Sequence, residues 1–247
     1  LRASGGADCM FDYLVSACWA DVVAAGEGTE GQVFDSLTGC TFKVYSTIQA
    51  ALTDAATNFS GSNMAVILIC PGLYTENVTQ TSTCFVIGAG QGQDTTTASD
   101  TGGDAGVIVA PATDADTWTF STNSNGSTLK NIIARSSSAT APAKACVLID
   151  TPNEITLIDV VVKPGGSGQD GFRISTDNNL LVNCRSHDAG TGFRFGSGAQ
   201  ENLLVSPWCA TNTIGLRLAG GHTQITDPHL DACTTGINCD GSASKAT

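Results

Sequence analysis

Residues 171–174 read GFRI, and the same pattern returns as GFRF at 192–195, GLRL at 215–218 and GINC at 236–239. The separations are 21, 23 and 21 residues. In each copy a glycine precedes two apolar residues that flank a polar one, the period-two alternation of a β-strand. A second element, an apolar residue two positions before Asn, Asp or Ser, recurs at Leu129/Asn131, Leu157/Asp159, Leu181/Asn183, Leu204/Ser206 and Ile225/Asp227. Its steps shrink from 28 through 24 and 23 to 21 residues. Two interleaved elements with one period of about 22 residues describe a coil of short strands, each stacked on its equivalent one turn later. The fold class this predicts is all-β: a right-handed parallel β-helix. A sandwich or a barrel predicts no such regular period.

Strand alternation assigns the side chains. Phe172, Ile174, Phe193, Phe195, Leu216 and Leu218 are expected to face inward as apolar ladders, with Arg173, Arg194 and Arg217 outward. The Asn and Asp positions suit corners that need local side-chain hydrogen bonds.

Working outward, short β-rich runs and Gly/Asn/Asp/Ser turns fill the chain from residue 64 to its end. Upstream the periodicity is helical. Phe11, Leu14, Val15, Cys18, Trp19, Val22 and Val23 step by threes and fours through residues 8–26, with Asp8 as expected N-cap and Gly26 as stop. A second helical stretch covers 46–59, with Ser46 as its N-cap and Ile48, Ala51, Leu52, Ala55 and Phe59 on one face. A solenoid exposes its core at both ends. The helix at 8–26 is therefore expected to plug one end, and Cys233, Cys239 and the tail GSASKAT the other. The division expected is a capping segment at 1–45 and the β-helix at 46–247, one unit overall.

Composition excludes several classes. The 11 basic and 23 acidic residues leave a net charge of −12, without a Lys/Arg-rich patch for nucleic acid or anionic lipid. No apolar run approaches the roughly 20 residues of a membrane span. Charged residues make up 14 % of the chain, so its polar surface is mostly Ser, Thr, Asn and Gly. Ten cysteines lack any Cys-x-x-Cys or finger spacing, which speaks against zinc and for disulfides in an oxidising compartment; buried free thiols are the competing use. Sequons begin at Asn58, Asn77 and Asn125, each an expected glycosylation site. The chain starts at Leu1 with no hydrophobic leader, which fits a processed, secreted product at an extracellular surface.

The segment from Thr47 to Gly90, with TIQAAL at 47–52, AVILICPGLYTENV at 65–78 and FVIGAG at 85–90, resembles the opening of pectin-lyase-like β-helix proteins, and among them the pectinesterases. The resemblance implies chemistry on later coils: an Asp in a Gln-Asp-Thr motif, a second Asp in Asp-Phe-x-Phe-Gly one coil on, and an Arg-Pro-Trp for the substrate carboxylate. Two carboxylates must face one ester, one attacking and one moving protons. Gln169-Asp170-Gly171 falls where the first motif belongs. One coil later, GTGFRFG at 190–196 has Gly192 where the family has its second Asp. Ser206-Pro207-Trp208 echoes the third motif without its Arg, and Gln93-Asp94-Thr95 matches the first by letter but comes too early. Polygalacturonase-type and calcium-lyase sets are also incomplete: Gly221-His222-Thr223 stands alone, and Asp227 and Asp231 beside Arg217 are weak. No phosphate loop or Gly-x-Ser-x-Gly elbow is present, and no cofactor or metal is implied.

Two functions are therefore expected to compete. The first is a secreted, disulfide-stabilised, non-catalytic β-helix that builds an extracellular or virion surface or binds a glycan, with a polysaccharide or further copies of itself as partner. The second is a polysaccharide-active enzyme, pectinesterase- or lyase-like, with a divergent site drawn from Asp170, His187, Asp188 and Arg194.

Overall fold

A computed structural model describes residues 10–26, 28–35, 41–59, 64–90, 106–112, 115–136, 144–166 and 168–240. The chain winds through three parallel sheets as a right-handed parallel β-helix, the handedness that strand twist imposes on parallel crossovers. The first sheet has ten strands. It opens with β1 (Tyr13–Val15), β2 (Gln32–Asp35), β3 (Thr41–Tyr45) and β4 (Ala65–Ile69) in the order β2-β3-β1-β4. Cys84–Gly88, Thr128–Lys130, Thr156–Ile158, Leu180–Val182, Leu203–Val205 and Gln224–Thr226 follow, one per coil. The second sheet runs from Gly72–Tyr74 to His229–Asp231 and the third from Val78–Gln80 to Thr235–Cys239, seven strands each. Every pairing is parallel except β2 with β3.

The repeats fall where the period puts them. Phe172, Ile174, Phe193, Phe195, Leu216 and Leu218 lie inside at 0–1 % exposure, and Phe172 stacks on Phe193 at 4.6 Å and 7°. Arg173, Arg194 and Arg217 pair in register on the outside. The leading glycines have a steric reason. A Cβ on Gly192 would stand 2.6 Å from the carbonyl of Gly215 and 2.9 Å from Cys209 Sγ, closer than real Cβ atoms come. Asn131, Asp159, Asn183, Ser206 and Asp227 turn the corner between the first two sheets, each with φ between 50° and 56°. That left-handed conformation is one that Asn and Asp tolerate better than most residues, and Asn183 adds a side-chain bond to Asp159 at 3.3 Å. Inside, the amide of Asn179 donates to Asn202 Oδ1 at 2.9 Å, so these buried polar groups satisfy each other.

The N-terminal end departs from the helical reading. Residues 13–15 form a strand, and only α1 (Ala17–Ala24) is helical in this stretch, with Ala25 as its C-cap and Gly26 following at φ 78°. Tyr13 and Val15 alternate inward at 1 % and 0 %, and β1 pairs in parallel with both β3 and β4. Pairing with strands distant in sequence overrides local helical spacing here. The plug is α2 (Ile48–Asn58), which buries Ile48, Ala51, Leu52 and Ala55; α1 buries no residue fully. The N-cap of α2 is Thr47, one residue after the expected Ser46, and its hydroxyl accepts from Ala50 N at 3.2 Å. At the far end Ile237 is 43 % exposed and Cys239 is exposed. The tail GSASKAT lies outside the described residues.

PGLYTENV, residues 71–78, ties this end together. The Tyr74 hydroxyl accepts from Ala17 N at 3.1 Å and donates to Cys70 O at 2.8 Å. Gly72 lets Ala17 approach, because a Cβ there would sit 3.0 Å from the Ala17 Cβ. Glu76 accepts from Ile48 N at 2.8 Å and Gln49 N at 2.9 Å, the free amides at the start of α2.

The disulfide expectation is corrected for the described cysteines. Cys18, Cys70, Cys84, Cys146, Cys184, Cys209, Cys233 and Cys239 are all free thiols, and four of them are buried as small core residues. Cys9 and Cys40 lie outside the described residues. No described helix is long and apolar enough to cross a membrane.

Candidate functional site

Asp170 opens a strand of the third sheet and is 3 % exposed. Its Oδ2 accepts from Arg173 Nε at 2.7 Å and lies 2.6 Å from Arg173 Nη2. Arg194, one coil on, reaches the same oxygen with Nη1 at 3.4 Å. Asp170 and Arg194, two of the four residues expected from sequence, therefore meet. Arg173, read only as outward-facing, completes their cluster.

The guanidinium column continues. Register places Arg173, Arg194 and Arg217 directly above one another, then Asn238. Arg217 donates through Nε to Asp240 Oδ2 at 2.5 Å. Below Asp170 the register partner is Ala145, whose N–H donates to Asp116 Oδ1 at 2.8 Å. Lys144 Nζ stands 3.6 Å from Asp116 Oδ2. Asp116 and Lys144 escaped the sequence reading because the links between the second and third sheets change length in these coils. They span 136–144 in one coil and 188–190 two coils later, so no constant spacing marks the positions.

Beside Asp170, Gln169 is 1 % exposed, and neither side-chain amide atom has a hydrogen-bond partner among the described residues. Such orphaned groups are costly, because each forfeits its hydration without a compensating hydrogen bond.

His187 and Asp188 lie elsewhere. His187 ends a strand of the second sheet, with its ring 5.9 Å from Trp208 at 56°. Arg185 stacks over Trp208 at 4.9 Å. Asp188 turns the corner with φ 58° and accepts from Thr211 Oγ1 at 2.6 Å. Its partner is thus the corner of the next coil. Ser206 and Trp208 also separate from the candidate site: Ser206 is a corner with φ 50°, and Trp208 opens a strand of the second sheet. The register partner of Asp170 one coil on is Thr191, so the position carries no second carboxylate. Gln93-Asp94-Thr95 lies outside the described residues. The three sequon asparagines, Asn58, Asn77 and Asn125, are exposed.

Fold and surface together define a protein of the parallel β-helix class, with a charged column on one outer sheet face. No family model matches the chain, and no curated protein matches it. Among solved structures it is similar to pectin methylesterase PemA from Erwinia chrysanthemi, at 16 % identity and TM-score 0.54 over 91 % of this chain and 67 % of that one. A pectin methylesterase variant in complex with a hexasaccharide matches at 16 % identity and TM-score 0.44, over 89 % and 67 % of the two chains. The catalytic domain of a GH87 alpha-1,3-glucanase in complex with tetrasaccharides matches at 15 % and 0.39, over 74 % and 43 %. The first of these similarities establishes a shared fold.

Proposed function

We propose that this protein binds an acidic polysaccharide along the outer face of its third sheet, without cleaving it, as a component of an extracellular or virion surface. The observation that carries this reading is the in-register column of Arg173, Arg194 and Arg217 on a chain whose net charge is −12. Guanidiniums stacked one strand spacing apart, about 4.8 Å, suit carboxylate or sulfate groups repeating along a polymer. Asp170 and Asp240 orient them, since each carboxylate fixes an arginine by an ion pair. Exposed sequons at Asn58, Asn77 and Asn125 support glycosylation and a secreted location.

The competing reading, a polysaccharide-active enzyme drawing on Asp170, Arg194, His187 and Asp188, has one observation in its favour. Asp116 and Asp170 lie on either side of Ala145 in one column, with the unpartnered Gln169 amide alongside. Against it, Asp170 Oδ2 is already engaged by two guanidiniums, and Asp188 is held by Thr211.

The test is calorimetric titration with polygalacturonate, a sulfated glycan and a neutral glucan, alongside assays for released methanol and new reducing or unsaturated ends. Binding of the acidic polymers alone, weakened about tenfold by Arg194→Ala, is the expected result. Turnover that disappears in Asp170→Ala would sink the non-catalytic reading.

A further inference from the structure

Lys163 and Arg185, on the outer face of the second sheet, make no ion pair among the described residues, although the chain holds 23 acidic side chains. Arg173, Arg194 and Arg217 on the third sheet each reach a carboxylate. An ammonium and a guanidinium without a counter-ion are available to one from outside.

Register gives this face a definite layout. Arg185 is followed one coil on by Trp208 and then by His229, while His187, Ala210 and Asp231 form the neighbouring column. Lys163 stands before His187, since Val161 and Val162 pair with Arg185 and Ser186. Before Arg185 its own column is apolar and buried, through Val161, Ile133 and Ile108. Trp208 is half-buried, and among the described residues it is the one indole or phenyl ring turned outward on the second and third sheets. Arg185 lies over the indole at 4.9 Å and His187 tilts against it at 5.9 Å, so the ring is held in place before any ligand arrives. Beside it, Ala210 puts only a methyl group between His187 and Asp231. The corner carboxylates Asp159 and Asp188 are engaged by Asn183 and Thr211, and Asp227 and Asp231 stand to either side of His229.

An indole with unpaired cations on one side and a carboxylate on the other matches a sugar acid. The C–H face of a pyranose packs on a flat apolar ring, its carboxylate pairs with Arg185 and Lys163, and its hydroxyls donate to Asp231. A bare anion makes no use of the ring, and a neutral sugar leaves both cations uncompensated. We propose that the outer face of the second sheet holds a glycan site for an acidic sugar unit, separate from the arginine column of the third sheet and standing whether or not that column binds a polymer.

The probes are short oligomers of galacturonate and of glucuronate, with a neutral maltooligosaccharide, adenosine monophosphate and inorganic sulfate as controls. Tryptophan emission reads this site, because Trp118 is fully buried and Trp19 packs on Phe34 at the N-terminal end. At least one of the two acidic oligomers should quench the emission, and the quenching should vanish in Trp208→Ala. Arg185→Gln and Lys163→Gln should each raise its midpoint about tenfold. Both residues are outward and partly exposed, so these variants decide the matter should Trp208→Ala fail to fold. Arg194→Ala should leave the midpoint unchanged, whatever it does to polymer binding in calorimetry. Quenching by neither acidic oligomer would overturn the proposal, as would equal quenching by the neutral sugar, the nucleotide or sulfate. So would quenching that Arg185→Gln and Lys163→Gln leave intact, or that Arg194→Ala abolishes.

Discussion

Glu76 holds the amide of Gln49 at 2.9 Å across 27 residues, and the Gln49 side chain in turn brackets the backbone of Thr79. The first coil and the plugging helix are thereby one unit. Glu76→Ala leaves the Ile48 and Gln49 amides without their carboxylate, and should cost about 1–3 kcal/mol in urea unfolding. Glu76→Gln, which keeps one acceptor oxygen, should cost less. Equal stability of all three proteins would show that the cap contributes nothing.

Asp54 gives the acid limb of stability a specific source. Burial pushes its carboxyl up, but donation from Lys43 Nζ at 2.7 Å, and then from Tyr13 and Tyr45, outweighs this and holds it below its ordinary value. A carboxyl lowered in the folded state adds stability that is present above the unfolded value, 3.8, and is lost as pH falls through the folded one. Asp54→Asn should therefore flatten the drop in melting temperature below about pH 4, relative to the unchanged protein. An identical acid limb in both would refute it.

The stacked rings of Phe172 and Phe193 test the solenoid core. Both are fully buried, so Phe193→Ala removes a ring from the ladder and leaves a cavity. The expected cost is about 3–5 kcal/mol, read from the midpoint of urea unfolding. Phe193→Leu should cost less than half as much.

The thiols should divide by burial. Burial pushes Cys146 and Cys184 up to about 12 and Cys209 higher still, so all three are protonated and shielded at neutral pH. Alkylation of the native protein, followed by mass spectrometry, should label Cys18 and Cys239 first and these three only after unfolding. Any of the eight described cysteines found bridged in unreduced protein would contradict the free thiols.

Much of the solenoid was legible because its physics repeats. A ladder position such as Phe172, Phe193 and Leu216 meets the same surroundings every coil, and Gly192 meets the same close backbone. The αL corners at Asp159, Asn183 and Asp227 show in sequence because few residues accept that conformation. The Asp170–Arg194 contact was partly legible too, since the two lie one coil apart on one sheet. Ser206-Pro207-Trp208, an echo already lacking its Arg, falls on the second sheet, away from Asp170.

By itself the sequence determined the period, the inward ladders, the corners and the parallel β-helix, all of which depend on local alternation and on backbone conformations that only certain residues accept. Only the tertiary structure decided that residues 13–15 pair as a strand, that α2 rather than α1 fills the end, and that Glu76 caps it. The same holds for the neighbourhood of Asp116, Lys144 and Asp170. These contacts join segments separated by links of irregular length, and the energy that selects them comes from pairing and burial across coils, which no local pattern encodes.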